Sequence, residues 1–556
     1  MEIKIKEQKK SLSGKGKVAV IGSGWYGVHA ALRFAEYGYL VTLFERKPEI
    51  FQGISGPYGI RVHNGMHYQR SYWSRFDCRN EKHTIDHYYP ELSFSLKHAI
   101  YALGKKDATG NPPKVNLEEF EKVCKLESGG KGLKGSIDLA ESPFNQDELY
   151  QAYDTDEKCM YTGKYLRDYF QRKINKEEKI NLMCSTNVTN IEKIDGGAGD
   201  QTFQVTYSTD QTINNYASFA QVINATGFMS LTSRFPLGVE VVYQPLLALK
   251  YRVKKGAQYV STSFIVMDGM FPCIMPYRDE QKDNGEYIVT HGLWTTAGSC
   301  PSKEEADLVS ANIDDTFIEE KVRPMVEKEM LRFFPGFKHI FEYIDFLSAV
   351  MPKLKTNTEF RSGAVFRDPN GVVIVFPGKV SHVETIFQEV LQFIDKPNNI
   401  RVYSDKTAIV INGSLHRARD ELKQEIVNEA QNTCYLQPYR DILPLIEAKL
   451  SPPPDEKPLT TNNETPASFD HVFICVGLLL IFCYYMFTDD IADTGFKSML
   501  ILPSLFAIRK ILSSTNISLG KQLMGMASLF QSPYANPVSL RLDDSASLHS
   551  GNEIKG

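Results

Sequence analysis

Residues Val18–Gly27 read VAVIGSGWYG, and they predict the fold class together with the residues that follow. Val18–Gly22 is a short, continuous apolar run that stops at glycine, which is typical of a buried parallel strand. A helix is expected from about Gly24 to Tyr37, and Tyr39–Glu45 (YLVTLFE) is a second apolar, β-branched run. Strand, helix and strand within about thirty residues predict a βαβ unit.

The glycines of residues 22–27 have the spacing GxGxxG, in which each glycine has a separate role. The first permits a tight turn, the second lets the backbone approach a pyrophosphate, and the third lets the helix pack close to the strand. The free N–H groups and the positive end of the helix dipole favour a diphosphate. A glycine turn in another kind of α/β unit is the alternative interpretation.

A carboxylate at the end of the second strand supports a dinucleotide site. Glu45 stands where it can accept hydrogen bonds from a ribose 2′-OH, and its charge would repel the 2′-phosphate of NADP. Arg46 is interpreted as a surface residue or as a contact on the adenine side. The predicted cofactor contacts in this part of the chain are Gly22, Ser23, Gly24, Tyr26, Gly27, Glu45 and Arg46.

Composition narrows the class of protein. The chain has 556 residues, of which 42% are apolar and 23% charged, with a net charge of −4. This is ordinary globular composition for at least two packing units, and it offers no electrostatic footprint for nucleic acid. Nine cysteines without a CxxC pair indicate reduced thiols and no metal site. Residues 1–17 are basic and polar and lack the apolar stretch of a secretory signal.

Two later segments complete the pattern. Ile223–Phe228 (INATGF) is an apolar strand that ends in Ala-Thr-Gly, and Val375–Ile386 (VFPGKVSHVETI) places a glycine before a helix. This arrangement resembles the two-domain flavoproteins of the glutathione-reductase and D-amino-acid-oxidase type. The resemblance implies FAD as the cofactor, with the Ala-Thr-Gly turn near its phosphates and a helix N-terminus facing the flavin. That helix is expected to begin near Ser381, with Glu384 completing a capping box. The contacts that the resemblance adds are Thr226, Gly227, Gly378, Lys379 and Val380.

The most distinctive stretch is Arg61–Arg75, RVHNGMHYQRSYWSR. It resembles the G-x-H-Y-P-R-S segment of a group of bacterial-type flavoproteins in the D-amino-acid-oxidase-like superfamily, with Gln69 in place of the proline. Its side chains offer hydrogen-bond donors and a group that titrates near neutral pH. They could hold an anionic or polyhydroxylated substrate and remove a proton as hydride leaves, or they could bind flavin edges and the diphosphate. Arg361 is interpreted as either a ligand clamp or a surface ion pair. The predicted catalytic residues are His63, His67, Tyr68 and Arg70.

The predicted fold is α/β, with a Rossmann-like FAD-binding domain, an inserted antiparallel β-rich substrate domain and a C-terminal, membrane-associated hydrophobic tail. The inserted sheet is inferred from β-prone runs that alternate with turns between about Val241 and Thr295. The predicted segments are 1–16 as a flexible basic N-terminus, 17–228 as the FAD-binding domain, 229–350 as the substrate or cap domain, 351–396 as the return to the FAD-binding domain, 397–450 as a C-terminal extension, 451–470 as a linker, 471–510 as the membrane anchor and 511–556 as a polar tail.

The membrane prediction depends on Val472–Phe487 (VFICVGLLLIFCYYMF), which carries no charge and follows a proline-rich linker. About twenty apolar residues are needed to span a bilayer, so this run is marginal but can extend into its flanks. A buried core helix is the alternative. Lys497, Arg509 and Lys510 follow the run and favour the cytoplasm for that side. We therefore expect a membrane-anchored protein whose catalytic domain faces the cytoplasm.

The sequence thus predicts an FAD-dependent oxidoreductase that transfers a hydride from an amine- or hydroxyl-bearing small molecule to flavin, with reoxidation by oxygen or a quinone. One alternative is a flavin-dependent enzyme without net redox, similar to UDP-galactopyranose mutase. Another is a non-catalytic, membrane-anchored FAD-binding adaptor. The substrate, the electron acceptor and the oligomeric state stay open at this stage.

Overall fold

The computed structural model describes residues 15–422, apart from 59–60, 128–131, 196–200, 211, 232–233, 357 and 396–398. All of these residues belong to the first of two units into which the chain divides, Met1–Pro453 and Pro454–Gly556. The predicted linker, membrane anchor and polar tail, residues 451–556, lie outside the described residues, as does most of the predicted basic N-terminus. Within the described part, no helix combines the length and apolar character needed to cross a membrane.

Strands of the described part form two large sheets and two small ones. In chain order they are β1 (Lys17–Ile21), β2 (Leu40–Phe44), β3 (Arg61–Val62), β4 (Ser93–Ser95), β5 (His98–Gly104), β6 (Leu133–Ser136), β7 (Leu149–Thr155), β8 (Lys158–Met160), β9 (Ile180–Met183), β10 (Thr186–Asp195), β11 (Gln201–Thr209), β12 (Asn215–Phe219), β13 (Gln221–Asn224), β14 (Val241–Val253), β15 (Thr262–Met267), β16 (Pro272–Pro276), β17 (Glu286–His291), β18 (Phe341–Leu354), β19 (Ala364–Arg367), β20 (Val373–Phe376), β21 (Ile400–Val402) and β22 (Ala408–Val410).

Helices connect these strands and cover the sheets. They are α1 (Trp25–Glu36), α2 (Tyr72–Glu81), α3 (Thr84–Tyr88), α4 (Leu117–Glu127), α5 (Gly163–Asn175), α6 (Lys303–Ala311), α7 (Asp315–Phe317), α8 (Arg323–Phe333), α9 (Phe337–Ile340), α10 (Val383–Asp395) and α11 (Ser414–Leu422). Short 3₁₀ turns occur at Pro90–Leu92, Pro236–Gly238 and Val380–His382, and a π turn occurs at Ile318–Val322.

The first large sheet is built around β1. Its strand order is β21-β22-β19-β20-β13-β1-β2-β9, and the strands from β20 to β9 run parallel. The strands beyond β20 pair antiparallel. The predicted βαβ unit is β1, α1 and β2, and the predicted return segment is β20 followed by α10.

Alternate residues of β1 face two different cores. Val18 and Val20 are fully buried in a core shared with α1, α5 and α10. Ala19 and Ile21 belong to a second core, which includes the three-stranded sheet β10-β11-β12 and α11. Burial on both faces is the reason why this strand is a continuous apolar run rather than an alternating one.

The second large sheet has the order β18-β14-β17-β16-β15-β5-β7-β6. One face packs against α6 and α8, with Val309, Met330 and Phe333 buried there. The other face carries Tyr101 and Ile265, which pack against Met66 from the loop after β3. The distinctive stretch Arg61–Arg75 therefore lies between the second sheet and the first domain.

The second sheet differs from the predicted substrate domain. It includes β5, β6 and β7, which lie inside the segment 17–228 that was predicted to bind FAD, and it is mixed because β5 pairs with β15 in parallel. Likewise β21 and β22, from the predicted extension 397–450, widen the first sheet. Pairing between strands far apart in sequence depends on tertiary contacts that a local pattern does not contain.

Candidate active site

The glycine loop lies at the carboxyl end of β1. At two of its positions, a side chain larger than that of glycine would clash with the backbone. Gly22 has φ +97°, and a Cβ there would lie 2.8 Å from the carbonyl oxygen of Ala225. A Cβ on Gly27 would lie 1.8 Å from the carbonyl oxygen of Gly22. Gly24 directly precedes α1. The glycines thus let a pyrophosphate approach the backbone at the start of α1, where the Trp25 N–H donates to Ser55 Oγ at 3.4 Å.

Glu45 stands at the end of β2, next to the glycine loop. Its Oε2 accepts hydrogen bonds from the backbone N–H of Ser23 at 3.0 Å and from the Ser23 hydroxyl at 2.6 Å. Its Oε1 accepts from the backbone N–H of Lys47 at 2.9 Å. These bonds hold a half-buried carboxylate beside the loop, while Arg46 is exposed.

The Ala-Thr-Gly turn after β13 lies against the same loop, because β13 pairs with β1 in parallel. The backbone of Thr226 is so close to Gly22 that a Cβ on Gly22 would be 3.0 Å from the Thr226 Cα. The Thr226 hydroxyl donates locally to Asn224 Oδ1 at 2.7 Å. Gly227 has φ +71°, a left-handed conformation that turns the chain away from the strand.

Tyr26 joins the first and last predicted cofactor segments. Its hydroxyl accepts a hydrogen bond from the Gly378 N–H at 3.0 Å and donates one to the Lys379 carbonyl at 2.7 Å. Burial raises the pKa of Tyr26, in keeping with a hydroxyl that stays protonated. Two segments at opposite ends of the FAD-binding domain are thus held at one place.

The helix after Gly378 begins differently from the prediction. Val380 and Ser381 lie in a 3₁₀ turn, and α10 begins at Val383, so Ser381 is not the N-cap. Glu384 does not form a capping box either. Its Oε2 instead contacts His29 Nε2 at 2.8 Å and accepts from Arg33 Nε at 3.1 Å, both on α1. Glu384 therefore forms contacts between α10 and α1 instead of capping its own helix.

The predicted catalytic side chains form an aromatic cluster. The rings of His63 and His67 are stacked with centroids 4.7 Å apart, and Tyr68 packs edge-on against both. Lys379 Nζ lies 4.9 Å from the centre of the Tyr68 ring. The His67 Nδ1 and the Tyr68 hydroxyl are shielded from solvent and find no hydrogen-bond partner within the described part of the chain. They are available to a ligand that enters this space.

Glu157, which the sequence did not single out, anchors this cluster. It accepts hydrogen bonds from Arg61 Nε at 2.6 Å, from the Tyr101 hydroxyl at 2.7 Å and from the Asn64 N–H at 2.6 Å. Burial by itself would raise the pKa of Glu157, but Arg61 and His63 outweigh it and hold the pKa at about 2. The sequence contained no motif around Glu157 that could have identified this role.

The hydrogen bond between Tyr101 and Glu157 determines the tautomer of His63. The Tyr101 hydroxyl gives its only proton to Glu157, so at 3.0 Å it must accept from His63 Nδ1–H. The Nε2 of His63 therefore carries the lone pair. Burial and the nearby Lys379 lower the pKa of His63 to about 4, and burial together with His63 lowers the pKa of His67 well below its usual value. Both histidines are neutral at pH 7.

Three half-buried cations, Lys353, Arg361 and Lys379, lie in this region. Burial and Arg361 lower the pKa of Lys353 well below its usual value, burial lowers the pKa of Arg361, and burial lowers the pKa of Lys379 to about 8. Within the described residues none of the three has a carboxylate at ion-pair distance, although Glu359 acts on Lys353 and Arg361 through space. Lys353 was not anticipated, because a lysine on a strand carries no distinctive motif.

Arg70, in contrast, is held by two carboxylates. Its Nε donates to Asp268 Oδ2 at 2.9 Å, and its Nη2 lies 3.1 Å from Glu359 Oε1. The structure thus brings His63, His67 and Tyr68 together with Lys379, whereas Arg70 lies in an ion-pair network at the border of the cluster. That network positions the loop that carries both histidines.

The residues present fit FAD in two respects. The glycine loop presents the N-terminus of α1 to a diphosphate, beside a carboxylate suited to a ribose. The shielded polar atoms of His67 and Tyr68, next to Lys379, offer polar contacts to the flavin ring of FAD or to a substrate. When bound, FAD supplies the acceptor for a hydride.

Known proteins with similar sequences point to the same cofactor. Residues 17–378 match the family described as FAD dependent oxidoreductase. The FAD-dependent monooxygenase kojA of Aspergillus flavus is 37% identical over 399 residues, which are 68% of this chain and 86% of that protein. The FAD-dependent monooxygenase FPY4 of Fusarium mangiferae is 24% identical over 378 residues, which are 68% of this chain and 91% of that protein.

Solved structures with this fold include glycine oxidase from Geobacillus kaustophilus, with a TM-score of 0.51, 11% identity, and coverage of 69% of this chain and 95% of that one. NikD, an amino acid oxidase of nikkomycin biosynthesis, has a TM-score of 0.51, 12% identity, and coverage of 69% and 94%. At such identities the likeness shows the fold alone. The family match confirms the resemblance predicted from the sequence: the chain belongs to the FAD-dependent oxidoreductase family and is an enzyme whose cofactor is FAD.

Proposed function

We propose that this enzyme oxidises a small anionic substrate at a carbon that bears an amine or a hydroxyl group, with molecular oxygen as the final electron acceptor. The observation that carries this proposal is the group of three half-buried cations, Lys353, Arg361 and Lys379, beside two neutral histidines. Cations that are partly shielded from water and lie beyond ion-pair distance of a carboxylate are costly, so an anionic ligand that pairs with them gains more than it would in water.

The side chains of the cluster divide the work. Lys353 and Arg361 bind a carboxylate of the substrate, since a guanidinium fork matches carboxylate geometry. His63 accepts the proton of the amine or hydroxyl at Nε2, where its lone pair lies, while Glu157 holds its orientation through Tyr101. Bound FAD would supply the acceptor for the hydride, and with the proton held by His63 the substrate would undergo a two-electron oxidation to an imine or a carbonyl.

The choice of oxygen rests on the relatives. Both relatives named above are called FAD-dependent monooxygenases, a name that implies molecular oxygen, rather than a quinone, as the oxidant. This favours a second candidate function, in which one oxygen atom from O₂ enters the substrate. The two functions differ in product: simple oxidation releases hydrogen peroxide in equal amount to product, whereas oxygenation incorporates label from ¹⁸O₂.

An anaerobic substrate screen tests the proposal. The full-length, FAD-loaded protein is mixed with α-amino acids and α-hydroxy acids, and loss of the blue flavin absorbance is followed. Matched compounds that lack the carboxylate, such as the amine from each amino acid, are the controls. We expect bleaching by acids only. Equal bleaching by the neutral controls would contradict an anionic substrate.

We also propose that the apolar run Val472–Phe487 attaches the enzyme to a membrane with its catalytic domain in the cytoplasm. The support is the uncharged composition of a run that follows a proline-rich linker. The full chain and a chain that ends at residue 470 are compared for retention in carbonate-washed membranes. Equal recovery of both in the soluble fraction would contradict the proposal.

A further inference from the structure

The loop that carries the histidine cluster runs directly into α2, whose N-cap is Ser71. The side chain of Ser71 accepts from the Ser74 N–H and so begins the helix. Any shift of this cap would move Arg70, which immediately precedes it, and His67, four residues before it. The position of α2 therefore determines the position of the active-site wall.

A carboxylate from α11 contacts this cap. Glu421 Oε2 accepts from the Ser71 hydroxyl at 2.7 Å, and Glu421 Oε1 accepts from the Trp73 N–H at 2.9 Å. The side chain is nearly inaccessible to solvent, with 7% exposure of the residue. A negative charge at the N-terminus of α2 is favourable because it faces unpaired N–H groups and the positive end of the helix dipole.

The same carboxylate holds a second wall of the site. Glu421 Oε2 also accepts from the Thr358 hydroxyl at 3.0 Å. Thr358 precedes Glu359, which pairs with Arg70 at 3.1 Å. The neighbouring Arg361 donates its backbone N–H to Ser74 Oγ at 2.7 Å. One side chain therefore links the histidine loop with the segment that carries Arg361.

The remainder of α11 is attached firmly enough to act as a support. At its beginning, Glu389 of α10 accepts from the Ser414 N–H at 2.6 Å and from the Ser414 hydroxyl at 2.8 Å. In its middle, Arg417 lies 3.5 Å from Asp77 of α2. Its apolar side includes Leu415, buried in the core behind β1. Thus α11 is held at its start by α10 and holds α2 at its end.

From these contacts we infer that Glu421 is a positioning residue for the active site, which sets the spacing between the histidine loop and the Arg361 segment. It lies beyond residue 378, where the match to the family ends. The inference rests on the proposed function in one respect, namely that the space between these walls receives the anionic substrate. The positioning itself is independent of what the substrate is.

The test uses the full-length, FAD-loaded protein and three variants. Glu421→Ala removes all three acceptor contacts. Glu421→Gln keeps a carbonyl oxygen for the Trp73 N–H, and the hydroxyls of Ser71 and Thr358 can rotate to accept from its amide. Asp420→Asn is the matched control, because it removes a carboxylate from the adjacent position of α11, where the side chain is 87% exposed.

Two measurements are made on each variant: amide hydrogen exchange of residues 61–77 and the dissociation constant of oxalate, followed by its effect on the flavin spectrum. For Glu421→Ala we expect exchange about tenfold faster in residues 61–77 and oxalate binding about tenfold weaker, with FAD affinity unchanged. Glu421→Gln and Asp420→Asn should resemble the wild type. Should Glu421→Ala fail to fold, Glu421→Asp, one methylene shorter, is expected to show the same changes to a smaller degree.

Unchanged exchange of residues 61–77 in Glu421→Ala, or in Glu421→Asp should the alanine variant not fold, would overturn the inference. An increase that is equal throughout residues 15–422 would overturn it as well. Failure of oxalate to bind the wild type would instead count against the proposed function. In that case the exchange data would still decide whether Glu421 positions the wall.

Discussion

The hydroxyl of Tyr26 offers the sharpest test of how the cofactor site is assembled. Tyr26→Phe removes one oxygen atom and leaves the Gly378 N–H and the Lys379 carbonyl without the partners they have at 3.0 and 2.7 Å. A typical intramolecular hydrogen bond contributes about 1 kcal/mol net, so the two together contribute about 2 kcal/mol. That free energy corresponds to about a thirtyfold change in an equilibrium constant.

The effect should appear in FAD binding, because the tether holds the last cofactor segment against the start of α1 before the ligand arrives. We expect the dissociation constant of FAD to rise up to about thirtyfold, measured from the increase of flavin fluorescence on release. A tenfold rise in the dissociation constant corresponds to about 1.4 kcal/mol. Any part of the ~2 kcal/mol that FAD binding does not account for should appear as a lower free energy of unfolding in urea. Tyr37→Phe, at the end of α1, is the control. Unchanged FAD affinity together with unchanged unfolding free energy would refute the assembly argument.

Three further predictions concern Gly27 of the glycine loop, Lys379 and Glu157. Gly27→Ala should abolish FAD loading, measured by absorbance, because its Cβ would lie 1.8 Å from the Gly22 carbonyl oxygen; a variant with normal flavin content would contradict this. Lys379 has its pKa lowered to about 8 by burial, so it is charged below that pH and oxalate binding should weaken as pH rises through about 8. Lys379→Met should bind oxalate more weakly at pH 7 and lose this dependence, and an unaltered pH profile would place the anion elsewhere. Burial opposes ionisation of Glu157, yet Arg61 holds its pKa at about 2, below the usual 4.5, so its contribution is present above pH 4.5 and is lost as pH falls through 2. Glu157→Gln should therefore cost about 2 kcal/mol more in unfolding free energy at pH 7 than at pH 3, and an equal cost at both would contradict the ion pair.

The site was only partly predictable. The glycine loop, Glu45 and Gly378 belong to motifs whose residue types follow from the backbone geometry that they must adopt. His63, His67 and Tyr68 were identified as a cluster because they occur within one short segment. Glu157 and Lys353 were not identified, because nothing in their immediate sequence distinguishes them from any other charged residue.

The fold divides along the same line. The sequence by itself determined the βαβ unit, since a doubly buried strand must be apolar throughout and its glycine turn must lack side chains. Only the tertiary structure decided that β5 pairs with β15, that Glu384 serves α1 instead of its own helix, and that Glu421 contacts the cap of α2. Local patterns record what each segment needs in order to bury its own backbone and side chains. The choice of partner depends on the geometry of all segments together, because many distant surfaces have similar apolar and polar composition.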